Sequence, residues 1–318
     1  MKKSVVIKKI NEYVEGSEIY MSGIYIGAMG IMSNMTRMDL IANNIANAQT
    51  KGYKADANTF RVFDETQAVK RAFKEKTGIG DYENMVYVDD IQTNFKSGSF
   101  ETSDSPLDLA ITDDASQAHK TFFSVSKNGQ EYLTKNGQFT LDEDRRISTF
   151  TGELVDGVDG KPITIPDGHP YEIKKDGSVV LSDTNQEVGQ IRMLSVADEN
   201  LIFLQKESSS LFSVMNLQDI NNRFAPIGTL VNEYNQNVTY RNLFTTNNTL
   251  LDIQRTGQVN ITEPPKGSIE TSMTESSNVD VADELVAMME TQKGVQSSQK
   301  VWQTLSDILD KESNQIGR

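Results

Sequence analysis

Two histidines, His119 and His169, are the only imidazoles in 318 residues, and there is no cysteine. Neither histidine sits in a two-histidine metal spacing, so each reads as an exposed loop residue rather than a ligand or general base. The lack of cysteine removes disulfides, thiolate metal sites and thiol nucleophiles. Asp159-Gly160-Lys161-Pro162 lacks the glycine spacing and the hydroxyl of a phosphate-cradling loop. No Gly-x-Ser-x-Gly nucleophile elbow occurs. Asp142-Glu143-Asp144 lacks the alternating ligands, central glycine and terminal glutamate of a calcium loop, and reads as a solvated hairpin turn. Paired carboxylates brought together by folding could still serve a carbohydrate-active β protein. The expectation is a chain that is not an enzyme, with no catalytic residue, no metal and no cofactor.

The elements that would position any site come in three different patterns. Over residues 22–47, Ile24, Ala28, Ile31, Met35, Met38, Ala42 and Ile45 are spaced alternately by four and three, a heptad seam. One helix of roughly 39 Å is predicted there, and the strict period predicts a left-handed supercoil with a partner helix. Near the other end, Val281, Leu285, Met288, Gln292, Val295, Gln299 and Trp302 repeat that spacing, and Leu305 and Leu309 continue it out of phase. This second helix is expected to run to about Ser313. Ser277-Asn278-Val279-Asp280 has capping-box spacing ahead of it, and Asp280, Asp283 and Glu284 place negative charge at its positive end.

Between the helices, turn dipeptides recur: Asn128-Gly129, Asn136-Gly137, Asp156-Gly157, Asp159-Gly160, Asp167-Gly168 and Asp176-Gly177. Short β-type runs separate them, including 122–125, Ile163-Thr164-Ile165, 179–181 and 191–196. Close turns and short strands predict a central antiparallel, barrel-like β domain. Pro264-Pro265-Lys266-Gly267 marks the exit towards the last helix. The fold class expected is therefore α+β: a discontinuous coiled-coil unit of N- and C-terminal helices plus the central β domain. The divisions are 1–20, an extension; 21–56, the first helix and its signature; 57–278, the β domain with extended linkers; and 279–318, the last helix.

Charge follows these divisions. The whole chain carries −14, yet residues 57–279 hold 20 basic against 33 acidic side chains. An acidic middle argues against nucleic-acid binding, because phosphates would be repelled. No run approaches the roughly 20 apolar residues of a spanning helix, which argues against membrane insertion. Val5-Val6-Ile7 is too short for the core of a secretory signal.

The first seam is poor in large side chains, so an isolated pair of helices recovers little of its ordering entropy from burial. The ends are expected to order only when neighbouring copies pack around them. Asn43, Asn44 and Asn47 fall off the seam, facing away from the partner helix. They read either as a hydrated face or as hydrogen-bonding groups between subunits.

Residues 42–54, Ala-Asn-Asn-Ile-Ala-Asn-Ala-Gln-Thr-Lys-Gly-Tyr-Lys, resemble the N-terminal signature of the flagellar axial proteins, the rod and hook family. Residues 277–280, then Glu284 to Glu290 and Gln292-Lys293, resemble its C-terminal signature. Residues 132–142 and 176–179 resemble the β domain of the rod type, the distal rod above all.

The resemblance implies a subunit of the basal-body rod: an inner tube of paired terminal helices, β domains outward, and a hollow shaft that transmits torque and carries exported subunits. The implied partners are further copies in a helical homopolymer, other axial proteins and the flagellar type III export apparatus. The implied location is the basal body, outside the cytoplasm, reached without a cleaved signal. Assembly residues carried over are Asn43, Asn44, Asn47, Thr50, Gly52, Tyr53, Ser277, Asn278, Val279 and Asp280. The seams add Ile24, Ile31, Met35, Met38 and Ile45, with Val281, Leu285, Met288, Val295 and Trp302. In the family setting, Gly52 permits a sharp backbone change as the chain leaves the helix.

Three segments depart from the family pattern. Met21-Ser22-Gly23-Ile24-Tyr25 looks like the usual family start, so residues 1–20 are expected to be an extension or the product of an upstream start. Residues 113–120 replace a short glycine turn, and 232–258 look like an insertion or divergent loop. The other readings are a hook or hook-junction subunit, and a non-flagellar surface coiled-coil or adhesin.

Overall fold

A computed structural model describes residues 24, 26–62, 65–72, 75–83, 86–113, 116, 118–216, 262–263 and 265–316. The expectations for residues 1–20, the start at Met21 and the insertion at 232–258 lie outside the described residues. Helix α1 spans 26–46, and α2 spans Val281–Ile316, past the predicted stop at Ser313. Among the described residues between them the extended elements are antiparallel strands, and the fold is α+β. The chain divides into two compact units.

The first unit holds α1, α2 and residues 56–94. Strand β1 (Asp56–Val62) pairs with β4 (Val86–Thr93), and β2 (Glu65–Ala72) pairs with β3 (Glu75–Glu83), so this stretch is a ribbon of antiparallel pairs. The helices run antiparallel: Asn44 meets Glu284, Asn34 meets Gly294, Gly30 meets Ser298 and Gly27 meets Trp302. Their closeness rests on missing side chains. A Cβ on Gly30 would lie 2.9 Å from the Ser298 hydroxyl oxygen, and one on Gly294 would lie 2.9 Å from the Asn34 Oδ1.

These contacts fall at 27, 30, 34 and 44, each one residue before a position of the predicted seam, and Ile41, also one residue before, is buried like Asn44. One residue is about 100° of helix rotation, so the apolar seam lies beside the intramolecular contact rather than in it. Ile24, Ile31, Met38, Ile45, Met288 and Val295 are half-buried. Met35, Val281, Leu285 and Trp302 are exposed, at 54%, 41%, 48% and 41%.

The second unit holds residues 47–55 and everything from Phe95 to Asn278. Strands β5 (Phe100–Thr102) and β6 (Leu109–Thr112) precede β7 (His119–Lys127), β8 (Gln130–Thr134), β9 (Phe139–Leu141), β10 (Ile147–Thr149) and β11 (Leu154–Val155). Then come β12 (Tyr171–Ile173), β13 (Ser178–Leu181), β14 (Glu187–Gln190) and β15 (Met193–Ala197). A 3₁₀ turn leads to β16 (Leu204–Lys206) and β17 (Leu211–Val214). The last strands are β18 (Thr262–Glu263), β19 (Ser268–Thr271) and β20 (Met273–Glu275).

The largest sheet runs β16-β17-β8-β7-β11-β10-β9, with β15 and β18 branching from β7. Its end strands β16 and β9 are not joined, so the sheet is open and no closed barrel forms among the described residues. The branch explains why: β7 is long enough to pair β8, β15 and β11 along its length, which fans the sheet outward.

Strand β7 also explains the core. Successive side chains of a strand face opposite ways, so Phe123 and Val125 join one cluster with Phe139, Ile147, Val155 and Ile191. Phe122 joins a second with Phe95, Leu133 and Phe212. Phe122 meets the Phe95 ring edge-on at 5.6 Å, and Phe123 meets Phe139 likewise at 5.2 Å.

Asn128-Gly129, both at positive φ, closes the β7–β8 hairpin as a two-residue turn. Asn136-Gly137, expected to be another turn, serves a different purpose. A Cβ on Gly137 would lie 1.8 Å from the Leu109 carbonyl oxygen, so the glycine permits a close backbone crossing. Ile163 and Ile165 are buried, but residues 163–165 make only an isolated bridge rather than a strand.

Candidate functional site: where the chain ends are held

Both signatures lie beside α1 and α2, and each unit holds part of them. In the helical unit the centre is Asn44, only 2% exposed. Its Nδ2 donates to the Asp56 carbonyl at 2.9 Å and to Glu284 Oε1 at 2.8 Å, while its Oδ1 accepts the Asp56 amide at 3.0 Å. Both amide protons and the carbonyl are thus engaged, tying α1, the start of β1 and α2 together. Thr93 adds a 2.7 Å bond to the Asp56 carboxylate. The expectation that Asn44 faces away from the partner helix is corrected. With glycines in the contact line, the backbones come close enough for a short amide to bridge them.

The cap of α2 is also corrected. Asp280, not Ser277, holds the first turn, accepting the amides of Ala282 at 2.9 Å and Asp283 at 3.2 Å. The helix begins at Val281, so Asp280 is the residue immediately before it, where a cap must stand. Val279 is half-buried in the same unit. Asn43 lies on an exposed part of α1 and keeps interactions of its own.

In the β unit, the segment after α1 forms a turn: Thr50 donates its amide to the Asn47 carbonyl and its hydroxyl to Asn47 Oδ1. Gly52 follows at φ +68, and a Cβ there would lie 2.4 Å from the Asn136 nitrogen. Both conformation and space therefore require glycine. Tyr53 is fully buried, with the Lys206 ammonium 3.9 Å from its ring centre. Asn278 accepts the Ala55 amide at 2.8 Å and donates to the Lys96 carbonyl at 3.0 Å. Ser277 is buried in the same region.

Two residues outside the expected set dominate this region. Lys54 and Glu275 are both wholly buried and form an ion pair at 2.7 Å. Burial pulls the Lys54 ammonium below the usual lysine range, and Glu275 opposes that pull. The only sequence clue was Lys54 closing the N-terminal signature. Glu275 had none, because its partner lies 221 residues away. Among the described residues, no three His, Asp or Glu side chains gather as metal ligands.

Three spans match known families in order along the chain. Residues 24–54 match the family described as "Flagella basal body rod protein". Residues 119–181 match "Flagellar hook protein FlgE/F/G D1 domain", and 270–316 match "Flagellar basal body rod FlgEFG protein C-terminal". The flagellar hook-basal body complex protein FlhO of Bacillus subtilis is 24% identical over 94% of this chain and 99% of its own length. The flagellar basal-body rod protein FlgG of the same organism is 26% identical over 90% and 96%. The flagellar hook protein FlgE of Escherichia coli is 30% identical over 49% of this chain but 35% of its own length.

The chain is similar at both ends and in its β domain to flagellar rod and hook proteins. It is a structural axial subunit of the flagellum. The N-terminal axial match covers α1 and runs on through Gly52 and Tyr53 to Lys54; the C-terminal match takes in β20, Asp280 and α2. The β-domain match begins at β7, the strand that carries both aromatic clusters, and ends with β13. No helix among the described residues of this axial protein is long and apolar enough to cross a membrane.

Proposed function

We propose that this chain is a subunit of the basal-body rod, a helical homopolymer whose terminal helices form a discontinuous coiled-coil layer around a channel. One observation carries the polymer reading. The helices bury an amide, a hydroxyl and glycines between them while Met32, Met35, Leu285, Val286, Met289 and Trp302 remain exposed. Apolar side chains in such number on paired helices call for covering surface, and further copies of the same helices supply it. On this reading the predicted seam packs between molecules, and the segments 21–56 and 279–318 are axial.

Length favours rod over hook, since the chain spans 96% of the basal-body rod protein FlgG and about a third of the hook protein. Its role is structural rather than catalytic. It reaches the basal body through the flagellar type III apparatus, joins other axial proteins there, and engages neither nucleic acid nor membrane.

Trp302, the single tryptophan, reports the test. Raising the protein concentration should shift its emission to the blue as polymer sediments. Polymer with unchanged Trp302 emission would refute the helix-packed reading. A strain lacking the gene should build no hook; a hook assembled without it would exclude the rod assignment while leaving the polymer intact.

A further inference from the structure

The buried ion pair joins three parts of the β unit that are remote in sequence. Lys54 Nζ donates to Glu275 Oε1 at 2.7 Å and to the Lys96 carbonyl at 2.9 Å. That same carbonyl accepts Asn278 Nδ2 at 3.0 Å, and Glu275 Oε1 also accepts the Gly98 amide at 3.0 Å. The Gly52 amide meets the Glu275 carbonyl at 2.8 Å. Glu275 Oε2 is buried with no hydrogen-bond partner, so the carboxylate depends on what reaches its other oxygen.

We propose that Lys54 and Glu275 form a latch that lets the segment after α1 and the segment before α2 dock on the β unit only together. A charge buried without its partner is strongly unfavourable, whereas the completed pair is tolerated. If residues 275–278 are absent, docking residues 51–55 strands an ammonium with only the Lys96 carbonyl to hold it, beside the Lys135–Asp113 pair. If residues 51–55 are absent, docking residues 275–278 strands a carboxylate with only the Gly98 amide to hold it. The latch makes the two ends of the β unit conditional on each other, whatever the copies do afterwards.

Hydrogen exchange on the full chain tests this in Lys54→Met, Glu275→Met and the double variant. The Gly52 and Ala55 amides, held by the Glu275 carbonyl and Asn278 Oδ1, report the first segment where it seats against the second, and the Ser276 amide, bonded to the Ser99 carbonyl, reports the second segment on the rest of the unit. Each single variant should speed exchange of all three amides by at least about tenfold, including those in the segment it does not touch. The apolar double variant should return them to within about threefold of the parent, because no charge is then stranded. Exchange rising only in the substituted segment would overturn the latch, as would a double variant no better protected than the singles. Should a single variant also expose the β7–β8 amides, the double variant decides: recovery supports the latch and its absence refutes it.

Discussion

In the β unit, Phe122 and Phe123 face opposite ways from one strand and both are wholly buried. In the helical unit, α2 buries Thr291 and leaves Leu285, Val286, Met289 and Trp302 exposed. The first region completes its cores within one molecule; the second places glycine and amides at its closest contacts and turns its apolar residues elsewhere. Apolar side chains can therefore complete a core within one molecule or be left for another surface, and side-chain placement decides which.

The sharpest way to break this contrast is Leu285→Asp. A carboxylate on a packed intermolecular face should raise the critical concentration for polymer by more than about 100-fold. Melting of the β unit should stay unchanged in the same sample. A polymerising variant would remove the exposed helical face from the assembly. Next in size is Phe123→Ala, which opens a cavity against Phe139 and should cost about 3–5 kcal/mol in urea unfolding of the β unit. Loss of helix signal ahead of that transition would erase the division of labour.

Asn44→Ala removes the bridge among Asp56, α1 and α2, and should weaken helix pairing by about 1–3 kcal/mol. Asn44→Asp should be worse, since it faces Glu284. Thermal melts of the helical signal measure both, and a silent Asn44→Asp would show that the bridge is dispensable.

The smallest effect concerns pH in the β unit. Burial pushes the Glu153 carboxyl up, but Lys127 and the Thr149 and Thr151 hydroxyls outweigh it and hold the value down to about 2. Because the folded value lies below the unfolded one, Glu153 stabilises the unit above pH 4.5, and that support fades as pH falls through about 2. Glu153→Gln should flatten stability over this window; an unchanged acid profile would discount the cluster.

Both helices were legible in the sequence because apolar residues spaced by four and three over several turns line up only on a helix. The β7–β8 turn was legible in Asn128-Gly129. The contact line lies one residue from the apolar seam because size rather than hydrophobicity decides it: Gly27, Gly30 and Gly294 set the approach, and Asn44 exploits it. Gly137 departs from expectation for a related reason, since Asn-Gly suits a tight turn and a backbone crossing alike. Lys54–Glu275 was out of reach, being a pairing that only the folded β unit creates.

Lys96 offers one carbonyl oxygen to a donor from each end segment, and this has a mechanical consequence. Tension applied between residues 47 and 278 meets that shared oxygen and the neighbouring ion pair before it meets Phe122 or Phe123. The load path is short because it crosses from Lys54 to Glu275 directly, between residues 221 apart in the chain.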